Sequence, residues 1–72
     1  MHKVIPLTEE TRELIVENLE GIGIKYKFLG DAIIAVVPLS LTDLAFKGCW
    51  TGYKGNIEAQ QPTQFDYDYL HS

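Results

Sequence analysis

Cys49 is the one side chain in this sequence that combines nucleophilicity with a soft metal-binding atom. A thiol nucleophile needs a neighbouring base and surroundings that lower its pKa. The two histidines, His2 and His71, stand at opposite ends of the sequence, and neither is close to Cys49 along the chain. The less demanding reading is a small buried thiol beside Trp50. Zinc sites bring paired ligands at close spacing, and no such pair occurs, so no metal and no cofactor are expected.

Paired carboxylates are the next candidates. Asp66 and Asp68 sit two residues apart in a segment where Phe65, Tyr67 and Tyr69 alternate with them. Read as a strand, this period puts both acids on one side, where they could serve acid/base chemistry or hold a hard cation. A calcium loop needs more oxygen ligands and a turn glycine, which this segment lacks. A solvated face that guards a strand edge is the preferred reading.

Two glycine patterns carry possible phosphate chemistry. Gly21-Ile22-Gly23 looks like a fragment of a dinucleotide turn, but that turn follows a strand and opens a helix, whereas this one follows a helical pattern. Helix termination is the better reading. Gly52-Tyr53-Lys54-Gly55 is a glycine-bounded loop with a lysine, the device with which KH domains clamp a nucleic-acid backbone. Trp50 and Tyr53 could stack on bases beside it. The KH loop joins two helices, however, and the residues after Asn56 lack a long amphipathic pattern. Four residues do not establish a family resemblance.

Composition limits the function classes. Seventy-two residues make one domain, 1–72, with residues 60–72 set apart as an aromatic and acidic tail. A chain of this length buries only about 60% of the surface it exposes when unfolded, so an intrachain disulfide, a metal or association is a common supplement. A single cysteine excludes the first. The apolar fraction of 46% is that of a folded domain. A net charge of −4 and a pI near 4.9 disfavour a nucleic-acid surface. No apolar run approaches the roughly 18 residues of a membrane span, and no apolar stretch of a secretory signal follows the first residues. A cytoplasmic location is therefore expected.

The elements that position these residues are readable in part. Met1 to Ile5 forms a short strand ended by Pro6. Thr8 caps a helix with Glu9 and Glu10 in its first turn, and Thr11, Ile15, Leu19 and Ile22, widened by Leu14 and Val16, form its apolar face. Gly21 ends it. Residues 24–28 and 32–37 form a hairpin around the two-residue loop Gly30-Asp31. That loop pairs Phe28 with Ile33, Tyr26 with Ala35 and Ile24 with Val37, all facing the helix. Ser40-Leu41-Thr42-Asp43 reads as a capping box opening a short helix that Gly48 stops. Residues 49–56 read as a loop or bent hairpin, with Ile57-Glu58-Ala59 as its returning arm.

The expected fold is thus α+β: one amphipathic helix on a small antiparallel sheet, plus a short second helix. The outer sheet face then presents Lys25, Lys27, Ile34 and Val36 to a partner. With no catalytic constellation, the expected function is a non-enzymatic protein-binding module, a small regulator or inhibitor. It would contact its partner through those four residues together with Trp50, Tyr53, Phe65, Tyr67 and Tyr69. The alternatives are a single-stranded nucleic-acid binder using Trp50, Tyr53 and Lys54, and a homodimer through the same sheet face.

Overall fold

The computed structural model describes residues 1–51 and 54–72, with side chains described for 1–49 and 56–72. It is an α+β fold. The chain runs β1 (His2–Pro6), α1 (Glu9–Gly21), β2 (Tyr26–Leu29), β3 (Ala32–Ala35), a 3-10 turn at Leu39–Leu41, α2 (Thr42–Ala45), β4 (Trp50–Thr51), β5 (Lys54–Gly55), β6 (Ile57–Gln60) and α3 (Gln64–Leu70). A four-stranded antiparallel sheet has the order β2-β3-β1-β6, and β4 pairs with β5 separately. Among the described residues, no helix is long and apolar enough to cross a membrane.

Helix α1 starts where its sequence predicts. The Thr8 hydroxyl accepts from the Thr11 N–H at 3.1 Å, and Thr11, Ile15 and Leu19 are buried. Its left-handed closure falls two residues beyond Gly21, the expected stop. Gly21 is the last helical residue and Gly23, at φ 73°, takes the left-handed position. The Ile24 N–H donates to Leu19 O and the Gly23 N–H to Glu20 O. This pair of bonds is a Schellman closure, and it needs a positive φ two residues after the helix ends. Both glycines are permissive, and the register of this closure selects the second.

The hairpin register is as expected: Tyr26 opposes Ala35 and Phe28 opposes Ile33. Gly30 has φ 61°, the turn conformation that a two-residue loop demands of its first central residue. Val4, Ile33, Ala35 and Val37 then face α1, where Ile15 and Leu19 complete the main core with Ala45, Phe46, Cys49 and Ile57.

Three expectations about individual elements fail. First, the tail is a helix. Thr63 and Asp66 form a reciprocal capping box, in which the Thr63 N–H donates to Asp66 Oδ2 at 2.8 Å and the Asp66 N–H donates to the Thr63 hydroxyl at 3.3 Å. Second, Ile57–Gln60 is not the returning arm of a local hairpin. It pairs with β1, Val4 opposing Ala59 and Ile5 opposing Glu58. Third, Ser40 caps nothing. A 3-10 turn precedes α2, whose N-cap, Leu41, has no side-chain cap bond. The short helix is held from outside instead: Asn18 Nδ2 donates to the carbonyls of Ala45 and Lys47 at 3.2 and 3.0 Å.

Helix α3 covers the sheet face expected to be open. Lys3, Ile34 and Lys27 form one cross-strand row over β1, β3 and β2. The helix lies along that row. Lys3 Nζ donates to both oxygens of Asp66 at 3.2 and 3.3 Å, in the first turn. Lys27 Nζ donates to the carbonyls of Tyr69 and Ser72, each at 2.9 Å, at the other end. A cation at a helix C-terminus also complements the dipole. Between these anchors Ile34 and Leu70 are enclosed, at 0% and 1% exposure. Burying each aliphatic side chain contributes about 1.5–3 kcal/mol.

Candidate functional site

Ile34 is therefore not a contact residue. It is core, because the chain supplies its own cover. Lys27 is held by α3, while Val36, beyond the end of β3, is 40% exposed, and Lys25 is also exposed. Phe65, Tyr67 and Tyr69 do not form an alternating strand. They lie on the solvent side of α3, Phe65 and Tyr69 stacked one helical turn apart with ring centroids at 6.3 Å. The side chains of Trp50 and Lys54, and all of Tyr53, lie outside the described residues, so the base-stacking reading has no described geometry to draw on.

Asp66 and Asp68 are not a pair. On a helix they diverge, Asp66 being buried against Lys3 and Thr63 while Asp68 is exposed and accepts from Gln64. The Thr63 backbone N–H, then Lys3, hold the Asp66 carboxyl below its ordinary pKa against the opposing effect of burial. Its work is structural. Cys49 is fully buried, and desolvation pushes its thiol pKa up, away from the thiolate. Among the described residues no three His, Cys, Asp or Glu side chains gather into a metal-binding group.

The arrangement with binding capacity is one that sequence reasoning missed. A groove of about 380 Å³ lies between α2 and the β6 side of the sheet. Val4, Ile57 and Ala59 form its floor, with His2 at one side, and Thr42, Asp43, Phe46 and Lys47 form its wall. That volume falls within the roughly 300–1,000 Å³ of ordinary ligand pockets. The His2 and Phe46 ring centroids lie 5.5 Å apart, and the buried Nδ1 of His2 has no hydrogen-bond partner among the described residues. Burial, then the N-terminal charge, lower the His2 pKa and favour the neutral ring.

The groove lies at the β6 edge of the sheet. The Leu7 N–H donates to Asn56 O at 2.8 Å. In an antiparallel ladder the hydrogen-bonded pairs alternate, so Ile5–Glu58 and Lys3–Gln60 are the bonded pairs of the β1–β6 register. The alternation turns the N–H and C=O of Ile57 and Ala59 away from β1. Among the described residues no strand pairs with that side of β6. The same alternation explains why Pro6 is tolerated within β1: its nitrogen faces away from β6, beyond the last residue paired with β3. The signal available in the sequence was weak. Ile57-Glu58-Ala59 is too short to reveal its partner strand.

Comparisons with protein-family models, with curated protein sequences and with solved structures found no match for this chain.

Proposed function

We propose that this protein is a non-enzymatic protein-binding module, a small regulator or inhibitor that takes an extended segment of its partner onto β6. The observation that carries this reading is the juxtaposition of outward peptide groups at Ile57 and Ala59 with an apolar groove on the same edge. Strand addition uses this combination: main-chain hydrogen bonds supply affinity, and pockets for alternate side chains supply specificity. The incoming strand would continue the sheet. Every second side chain would stand beside Ile57 and Ala59 and lean against Phe46.

The exposed aromatics of α3 are a weaker basis. Phe65 is 65% exposed, but Phe65 and Tyr69 shield one another by stacking. The test is a comparative pull-down from extract with the wild type and with Ala59→Pro. Proline at this position removes an outward N–H and leaves the β1 ladder intact. Proteins retained by the wild type and lost by the variant support edge recognition. An identical retained set for both proteins refutes it.

A further inference from the structure

Resting on that reading, we infer that the segment received by β6 alternates apolar and basic side chains. The chemistry follows from the two faces of the edge. Ile57 and Ala59 point to the α1 side, because Ile57 belongs to the main core and Ala59 opposes Val4. A partner residue beside them meets the groove floor and the Phe46 wall, where an aliphatic side chain is the complementary group. Glu58 points to the other face. It is exposed, and its cross-strand neighbour on β1 is the uncharged Ile5. A partner side chain between the two apolar ones lies next to this carboxylate, and a lysine or arginine there neutralises it. The net charge of −4, with five glutamates on α1, draws basic segments towards the molecule.

A second copy of this chain fits less well. A two-fold pairing of β6 with itself must align residues of the same face. The register centred on Glu58 sets two glutamates in direct opposition. The register centred on Ala59 places Gln61 of the second copy against Ile57 at the apolar floor. Two chains of −4 also repel.

The experiment uses isotope-labelled full-length protein titrated with three nine-residue synthetic peptides. One alternates valine with lysine, one valine with threonine and one valine with glutamate. Amide hydrogen exchange and chemical shifts are followed by NMR. The lysine peptide should bind best and the glutamate peptide worst. Exchange at Ile57 and Ala59 should slow, while Glu58, already bonded to β1, should change little. Glu58→Lys should invert the order of the peptides, shifting each affinity by about two- to fivefold. Ala59→Pro should weaken the lysine peptide by about tenfold or more. If that variant does not fold, the exchange pattern of the wild type decides. Equal binding of all three peptides with protection of Ile57 and Ala59 overturns the charge inference and leaves strand addition standing. No protection by any peptide overturns both. A doubled mass by light scattering that Ala59→Pro abolishes overturns the hetero-partner and installs the second copy.

Discussion

Ile34 lies within β3 and Val36 just beyond its end, and α3 encloses the first and leaves the second 40% exposed. Truncating each to alanine measures that cover. Ile34 is wholly enclosed, so Ile34→Ala leaves a cavity on the sheet face that α3 covers and should cost about 2–5 kcal/mol. Val36 is 40% exposed and borders no comparable packing, so Val36→Ala should cost well under about 1 kcal/mol. At roughly 0.05–0.15 kcal/mol per residue, the whole domain has about 4–11 kcal/mol of stability, so the first substitution removes a large part of it. Urea unfolding followed by circular dichroism reads the difference. With a slope near 1 kcal/mol per molar, the Ile34→Ala midpoint should fall by about 2–5 M and the Val36→Ala midpoint by less than about 1 M. Leu70→Ala on top of Ile34→Ala should be sub-additive, because both side chains are enclosed where α3 lies on β3. Equal, small shifts for both single variants would show that α3 does not pack on the sheet in solution, and the account of the second sheet face would fail.

Asp66 gives a pH test. Its folded pKa is depressed, so the stability it contributes is complete above the ordinary carboxyl value of 3.8 and is lost as the pH falls through the folded value. The stability deficit of Asp66→Asn, measured by urea midpoints, should be full at pH 7 and close in acid. Gly48 stands at φ 81°, and a Cβ there would lie 2.9 Å from Leu14 Cδ2. Gly48→Ala should cost about 1–3 kcal/mol in thermal unfolding, more than Gly30→Ala, where an added Cβ meets nothing. Cys49, fully buried and with its pKa raised, should react slowly with iodoacetamide in the native protein and at the rate of an ordinary thiol in urea.

What was legible in the sequence was local. The Thr8 cap, the α1 stripe and the Gly30-Asp31 loop each carry their signal within a few residues, and the loop length alone fixes which side chains oppose each other. The tail defeats a reading by period because seven residues satisfy two periods at once. Phe65, Tyr67 and Tyr69 alternate as in a strand, while Asp66 and Leu70 are spaced as one helical face. The Thr63–Asp66 capping box favours the helix. The demand of Ile34 for cover is visible only once the sheet exists. The candidate site was hidden for a related reason. Which strand lies next to β6, and which of its peptide groups are left over, depend on a pairing between residues far apart in the chain.

The placement of β1 between β3 and β6 governs how this fold can be assembled. The β2–β3 hairpin closes over a two-residue loop and can form early, but β1 must reach across α1 to join it. Only then does β6, more than fifty residues along from its partner Lys3, acquire a template. The last brace joins Lys3 to Asp66, 63 positions apart. Such distant closures slow folding and make it cooperative, because no early fragment is rewarded before the loops are drawn shut. The β6 edge is thus completed only by contacts between residues far apart in the chain, and its formation is tied to that of the core to which Ile57 belongs.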